Sequence, residues 1–596
     1  MIKERLAKLR EYMSEKNIDA YIIPSSDNHQ SEYVGDHFKC REFISGFTGS
    51  AGTVVVTMEE AGLWTDGRYF IQAEKELEGS TIKLFKMGEE GVPTTEEYLY
   101  ESLKEGKTLG FDGRVICAKE GINLEKKLAK KNIKIVYDYD LVGMIWNDRP
   151  ALSTAKAFLL DVKYAGETFS SKLNRLRESM KEKNANVHVI TTLDDIAWLF
   201  NIRGGDVKFN PVVLSYALIT LDKVYLFVDK SKLNEEILNE LSKENVEIKP
   251  YNDIYELIKT LDKNDKILLD STKINYAILN DIPSEVEKVD EFNPTMFMKA
   301  QKNPIELENI RNSHVKDGVA FTKFMYWLKN NVGKIEISEL SASKKLEDLR
   351  REQEGFIEPS FGTIAGYRDH AAMMHYSATK ESDAKLEASD LFLIDSGGQY
   401  FDGTTDITRT IALGKINDEL KKHFTAVARG MINLSMAKFL YGVRGYNLDI
   451  LARRPMWNMG IDYKCGTGHG IGFLLNVHEA PNGFRWRIIP DRFDSAVLEE
   501  GMVTTNEPGI YVEGSHGIRT ENELVVRKAE KNEYGQFMEF EVVTLAPIDL
   551  DAIDPEEMNK EEKAYLNWYH ELVYNKVSPF LTEDEKAWLK EYTKAI

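Results

Sequence analysis

The chain opens on MIKERLAKLREYMSEKN, where apolar positions recur at helical spacing among charged ones and predict an amphipathic helix. The pattern then returns. LREYMSEKNIDAYII, from Leu9, reappears as LRESMKEKNANVHVI, from Leu176, and in both copies the helical period gives way to a short run that reads as a strand. Each copy continues into glycine-marked turns and further strands: FISGFTGSAGTVVVT with GLWTDGRYF in the first, WLFNIRGGDVKFNPVVLSYALIT with KVYLFVD in the second. The economical reading is two related α/β domains, residues 1–161 and 162–298.

A new pattern begins at Asn303-Pro304-Ile305-Glu306, which puts Asn at an N-cap, Pro at the first helical position and Glu at the third. ELENIRNSHVKDGVAFTKFMYWLKNN then carries apolar residues at helical spacing, and beyond it short strands and turns alternate with helices, an α+β arrangement over residues 299–596. From about residue 547 the tail reads as helical, with Thr582 and Glu585 placed for a capping box. Its aromatics, Trp568, Tyr569, Tyr574 and Trp588, would be costly to expose, so they predict packing on the third domain or on a partner subunit.

A chain of 596 residues is too long for one core, in keeping with this division. The formal charge of −20 argues against nucleic acid and against anionic membrane surfaces as partners. Three scattered cysteines, Cys40, Cys117 and Cys465, build neither a disulfide framework nor a zinc knuckle and suit a reducing compartment. The N-terminus has no signal-peptide core, and no apolar run approaches the roughly 18 residues of a membrane span. A cytoplasmic location is expected.

The chemistry concentrates in the third domain. Asp395 and Asp406 flank a turn in LFLIDSGGQYFDGTTDITRTIAL, and Glu507 and Glu521 flank another in TTNEPGIYVEGSHGIRTENELVV. Acids at hairpin mouths are ordinary turn residues when they face water, and Arg409 or Arg519 offers a purely structural salt bridge. Buried, they need a pair or a metal. Between the two hairpins His469 sits in CGTGHGIG, a glycine-rich stretch without the lysine of a phosphate loop and without a following helix. His478-Glu479 lacks the second histidine of a zincin motif, and there is no G-x-S-x-G elbow. Four carboxylates and one imidazole suit two adjacent divalent cations, with Mn²⁺ the first choice and Zn²⁺, Co²⁺ or Fe²⁺ left open. Such a pair shares a bridging water, lowers its pKa and polarises a carbonyl. Glu507 is the candidate proton acceptor, and His375 and His478 are candidates for orienting substrate or stabilising an oxyanion.

The order DSG…DGTTDITRT, GTGHGIG…NVHE, NEPG and GIRTENE resembles the pita-bread metallopeptidases, which include methionine aminopeptidase, prolidase, creatinase and aminopeptidase P. The spacing of eleven within the Asp pair and fourteen within the Glu pair belongs to the resemblance. The chain is most similar to the three-domain cytosolic Xaa-Pro aminopeptidases, through CREFISGFTGSAGT and LWTDGRYF as well as the third domain. The resemblance implies two creatinase-like N-terminal domains and a pita-bread catalytic domain. It further implies release of an N-terminal residue that precedes proline, two Mn²⁺ ions, and a homodimer. By it, Asp395, Asp406, His469, Glu507 and Glu521 are metal ligands, His375 and His478 substrate- and intermediate-stabilising groups, and Cys465 and Arg519 part of the substrate shell. One position departs: the family typically reads HGTGHG, and here Cys465 holds the first place. Peptide-length selectivity is expected from first-domain loops, with Arg41 and Trp64 as candidates. Two alternatives stay open: a prolidase-type dipeptidase and an inactive pita-bread module that binds peptides or proteins.

Overall fold

The computed structural model describes residues 2–489 and 493–596. The chain divides into two compact units, Met1–Leu160 with Glu167–Thr295, and Asp161–Gly166 with Met296–Ile596.

The first unit holds the repeat as two six-stranded sheets of the same strand order. In the first sheet the strands β1 (Ala20–Pro24), β2 (Thr53–Thr57), β3 (Ala61–Thr65), β4 (Lys83–Lys86), β5 (Thr108–Phe111) and β6 (Lys134–Val136) lie in the order 4-3-2-1-5-6. β1 pairs antiparallel with β2 on one side and parallel with β5 on the other. The second sheet runs Glu247–Lys249, Val224–Val228, Ser215–Thr220, Val187–Ile190, Lys266–Leu269, Glu287–Asp290, with the same antiparallel and parallel relations around Val187–Ile190.

The repeated sequence explains the repeated start. The helices Ile2–Glu15 and Phe169–Glu182 bury Leu6, Leu9 and Met13, and Phe169, Leu173, Leu176 and Met180, at spacings of three and four that keep one stripe against the sheet. Both helices are followed by an asparagine of the shared E-K-N run, Asn17 at φ 54° and Asn184 at φ 55°. Asparagine tolerates the left-handed conformation, so it ends each helix and turns the chain into its strand. Arg41 and Trp64 are buried within the first unit. The Arg41 guanidinium donates to the Phe47 and Gly49 carbonyls and to Ser25 Oγ, and Trp64 stacks on Phe85 at 4.0 Å with its indole N–H on the Pro93 carbonyl.

In the second unit the predicted start is observed. Asn303 caps the helix Pro304–Asn331 in a capping box with Glu306. A three-stranded sheet orders Ile364–Tyr367, Leu391–Ser396 and Ile407–Ala412. A six-stranded sheet orders Phe439–Leu440, Gly535–Val542, Asn522–Asn532, Val503–Asn506, Gly468–Gly470 and Glu479–Phe484. The helices Asp418–Ser435 and Lys560–Val577 join the strands in one core that includes Phe424, Val427, Leu524, Leu566, Tyr569 and Val573.

The tail packs on this unit as its aromatics required, with one exception. Tyr569 is fully buried and Trp588 and Tyr574 lie partly buried against the core, whereas Trp568 remains 49% exposed. Buried Arg409 fastens the tail to the sheets: its guanidinium donates to the Pro547 carbonyl (3.1 Å), the Ala546 carbonyl (2.9 Å), Asn522 Oδ1 (2.8 Å) and the Tyr569 hydroxyl (2.8 Å). Thr582 and Glu585 form the predicted capping box. Among the described residues, no helix is long and apolar enough to cross a membrane.

Candidate metal centre

Asp395 is the penultimate residue of Leu391–Ser396 and pairs across the ladder with Thr408, while Asp406 immediately precedes Ile407–Ala412. Glu507 follows Val503–Asn506, Glu521 precedes Asn522–Asn532, and those two strands pair antiparallel with Asn506 opposite Asn522. The same end of each strand pair thus carries two acids. The Glu521 N–H donates to the Thr408 carbonyl at 3.1 Å, and the Thr410 hydroxyl to the Arg519 carbonyl at 3.0 Å, so the two mouths meet.

His469 is the middle residue of Gly468–Gly470, the strand beside Val503–Asn506. Its flanking glycines are steric requirements: a Cβ on Gly468 would stand 2.0 Å from the Thr505 carbonyl oxygen, and one on Gly470 2.3 Å from that of Glu479. They admit neighbouring backbone and form no phosphate cradle. His469 Nδ1 lies 3.0 Å from the Gly470 carbonyl, which requires the proton on Nδ1 and leaves the Nε2 lone pair facing Glu507 Oε1 (3.3 Å) and Asp406 Oδ2 (3.6 Å). Ligand atoms of Asp406, His469 and Glu521 all lie within 4.8 Å of one another.

The surrounding groups aim the acids. Arg519 Nη2 donates to Asp395 Oδ2 at 2.6 Å, its Nη1 to the Tyr511 hydroxyl at 2.7 Å and its Nε to Thr408 Oγ1 at 3.1 Å. Thr408 Oγ1 in turn donates to Glu521 Oε2 at 2.8 Å, and Thr505 Oγ1 lies 3.2 Å from Glu507 Oε1. Of the two arginines considered from sequence, Arg519 pairs with an acid, and Arg409 serves the tail. Arg519 also reaches within 3.5 Å of the Met374 carbonyl, bringing the turn that carries partly buried His375 beside the acids. His478 packs edge-on against His469, ring centroids 4.3 Å apart. Glu479 points elsewhere, into an ion pair with Lys302 and Lys299.

Pattern reading missed Glu523 and His314. Glu523 Oε1 accepts the Asp406 N–H at 2.7 Å, and its Oε2 lies 3.1 Å from His314 Nε2. The strand period of two, which puts Glu523 on the face of Glu521, was the available signal. For His314, on a helix a full domain-third earlier in sequence, there was none.

Electrostatics supply the test of whether a cation fits. Burial raises the Asp406 and Glu521 carboxyls well above the usual range, and their neighbours push further: Glu521, Asp395 and Glu507 on Asp406, Glu507 and Asp395 on Glu521. Burial pushes Glu507 up to about 7, with Arg519 opposing and Asp395 adding. Asp395 Oδ1 is buried without a hydrogen-bond partner. Acids that repel one another, an orphaned carboxylate oxygen and an aimed imidazole lone pair suit divalent cations. Cys465, partly buried, senses the same groups: burial raises its thiol to about 11, with Glu507 adding and Arg519 opposing.

Such a cluster on paired strands defines a metal-dependent hydrolase site. Residues 308–528 match the metallopeptidase family M24, residues 536–596 the C-terminal region of that peptidase, and residues 5–138 and 148–306 each a creatinase/prolidase N-terminal domain. A probable Xaa-Pro aminopeptidase P of Laccaria bicolor is 40% identical over 98% of this chain and 92% of its own. Xaa-Pro aminopeptidase 1 of Dictyostelium discoideum is 38% identical over 100% of this chain and 97% of its own. The crystal structure of an X-prolyl aminopeptidase from Caenorhabditis elegans, described as a cytosolic enzyme with a di-nuclear active site, superposes with a TM-score of 0.95 at 36% identity over 100% of both chains. The chain belongs to the M24 metallopeptidases, in their Xaa-Pro aminopeptidase branch, with creatinase-type N-terminal domains and a pita-bread catalytic domain.

A carboxyl whose folded pKa lies above its unfolded value is no burden below the unfolded pKa, and its destabilisation is complete once pH passes the folded value. Stripped of divalent cations, the protein should therefore lose stability as pH rises from 4.5 to about 7, the Glu507 interval. Mn²⁺ in hundredfold excess over its dissociation constant should restore about 2.7 kcal/mol at neutral pH and less in acid. Thermal unfolding of chelated protein at about pH 5 and about pH 7.5, with and without Mn²⁺, measures this. A melting temperature indifferent to Mn²⁺ at both values would rule out the cation site.

Proposed function

We propose that this protein is a Xaa-Pro aminopeptidase that releases the N-terminal residue from peptides with proline second, using a centre held by Asp395, Asp406, His469, Glu507 and Glu521. The observation that carries the reading is the full-length match to the worm enzyme together with the convergence of these side chains on one buried space. The division of labour is residues 1–161 and 162–298 as creatinase-like domains and 299–596 as the catalytic domain. Two divalent cations, when bound, supply Lewis-acid polarisation of the scissile carbonyl and an acidified water. One nitrogen and four carboxylate donors favour Mn²⁺.

The chain's own groups do the rest. Glu507 accepts the proton of the attacking water, and Thr505 steadies its other role as a donor to the cations. Arg519 holds Asp395 in place and keeps positive charge beside the acids. His478, edge-on to His469, and His375, on the turn near Arg519, orient the peptide and stabilise the oxyanion that forms at its carbonyl. Cys465 stands where the family's histidine would donate to substrate. A neutral thiol is a weak donor, so this chain holds its peptide with one strong hydrogen bond fewer.

The prolidase reading is disfavoured because the relatives that match this chain over nearly its full length at about 40% identity are Xaa-Pro aminopeptidases. The inactive-module reading is disfavoured because all five donors are present. A homodimer is supported by exposed apolar groups on the catalytic unit: Trp457 and Trp486 stand edge to face, 6.5 Å apart, and they and the sequence-near Ile450 and Ile488 are each at least 40% exposed. A cytoplasmic location is supported by three free cysteines and by the worm neighbour described as cytosolic.

With Mn²⁺ supplied, an Xaa-Pro-Pro tripeptide should be cleaved and an Xaa-Pro dipeptide should not. Glu507→Gln should lower kcat by about 10² or more. Preference for the dipeptide would reverse the assignment. Cys465→His should improve kcat/KM severalfold on the same tripeptide, and an unchanged value would remove Cys465 from the substrate shell. Trp486→Asp should shift the mass measured by light scattering from two chains to one. A wild-type protein already monomeric would refute the dimer.

A further inference from the structure

The first unit contains a cavity that peptide hydrolysis does not use. It measures about 190 Å³ and is lined by β1 itself, from Tyr21 to Pro24, and by residues that follow β1 and β5, among them Ser26, Asp112 and Arg114. β1 is where the sheet changes sense, antiparallel toward β2 and parallel toward β5. Chain segments leave in opposite directions from such a point, and the gap between them is where open α/β sheets bind ligands.

The polar lining is asymmetric in what it has left to offer. Arg114 grips Asp112 with two bonds, Nε and Nη2 each at 3.0 Å. Arg149 donates through Nε to the His37 carbonyl at 2.8 Å and through Nη1 to Asp140. Asp140 spends its other oxygen on the Gly143 N–H at 2.7 Å, and Asp112 also takes the Arg114 N–H at 3.0 Å. The acids' oxygens are thus engaged by the protein, whereas Arg114 Nη1 and Arg149 Nη2 make no hydrogen bond among the described residues. Cys40, the thiol in the lining, is raised to about 12 by burial and adds no negative charge. The lining thus offers free donors on two guanidinium groups beside an apolar wall of Ile22, Phe38 and Val142, with His37, its Nδ1 spent on the Pro150 carbonyl, also facing the cavity.

The second repeat serves as an internal comparison. Asp270 follows the strand that matches β5 and accepts the Thr272 N–H at 3.0 Å, as Asp112 accepts that of Arg114. Its other oxygen, however, takes the Asn293 N–H at 3.4 Å, and the Asn293 amide donates to Thr192 Oγ1 (3.3 Å) and Asp195 Oδ2 (3.2 Å). There the chain fills the crevice with its own hydrogen-bonded side chains. In the first repeat the crevice is open and faced by arginines.

We propose that this cavity binds a small organic acid, its carboxylate between Arg114 and Arg149 and its short apolar body against Ile22, Phe38 and Val142. Two arginines and two aspartates leave the lining close to neutral, so an incoming anion is met only by the unspent guanidinium donors, and a monoanion costs less there than a dianion such as phosphate. Arg114, 45% exposed, stands at the mouth, and Arg149, 18% exposed, deeper inside.

The probe is isovalerate, followed by saturation-transfer NMR on the full chain loaded with Mn²⁺. Saturable binding is expected, weakened about tenfold by Arg114→Gln or Arg149→Gln, because each substitution deletes one charge-assisted bond. Neither isoamyl alcohol nor inorganic phosphate should displace the acid. Absence of saturable binding at millimolar isovalerate overturns the proposal. So does binding that both variants leave unchanged, which would place the acid at the catalytic cations, and so does displacement by phosphate. Circular dichroism checks that the variants fold. If they do not, crystals of the unaltered protein soaked in isovalerate decide, since electron density for the acid anywhere but beside both arginines rejects the site.

Discussion

Mutual repulsion among acids crowded into one largely buried space is the constraint on which the catalytic unit depends. Asp406 and Glu521 are buried and Glu507 half-buried, close to one another and to Asp395, and their charges raise one another's proton affinity. Left to itself such a cluster would protonate or spread apart, because few interactions in a protein compensate several desolvated negative charges. The fold instead pins the backbone beneath every acid in a strand ladder. The charge is then left to be balanced by Arg519 and by what binds.

That pinning explains features remote from the acids. Two antiparallel strand pairs must end at the same place, so the Glu521 amide is tied to Thr408 and the Asp406 amide to Glu523 across the junction. The strand bearing His469 must come close enough to share the space, which leaves room for glycine alone at Gly468 and Gly470. Arg409 then couples the junction to the C-terminal tail, through Asn522 beside Glu521 and through Tyr569 and the carbonyls of Ala546 and Pro547. The tail is therefore part of the scaffold that keeps the acids together, and its aromatics are buried for that reason.

The N-terminal unit shows the same backbone plan used twice with different fillings. Both copies end their first helix at an asparagine in the left-handed conformation, and both order six strands alike. At the carboxyl ends of the central strands they diverge, one crevice closed by Asn293 and its partners, the other bordered by Arg114 and Arg149. Local turn chemistry was conserved by the repeat, and the groups facing the crevice were not. A repeat preserves what its backbone requires and leaves free what only a ligand would constrain.

Much of this was legible in one dimension. The helix starts at Asn303 and Thr582, the repeat, and the acids at strand ends follow from rules that act over a few residues: capping geometry, periodicity and turn preference. The order and spacing of the acids around a glycine-bracketed histidine carried the family resemblance. Roles that depend on who faces whom were not legible. Arg409 and Arg519 are both strand arginines two to three residues from an acid, and only packing gave one to the tail and the other to Asp395. The burial of Arg41 and Trp64 within their own unit was not legible either. His314 reaches Glu523 across more than 200 residues of sequence, a contact no local pattern encodes. Sequence by itself determined the elements and the kinds of ligand atom at their ends, because those choices are made by neighbouring residues. Tertiary structure alone decided which ends converge, which charge each arginine answers and which crevice stays open, because these are settled by side chains brought together from distant parts of the chain.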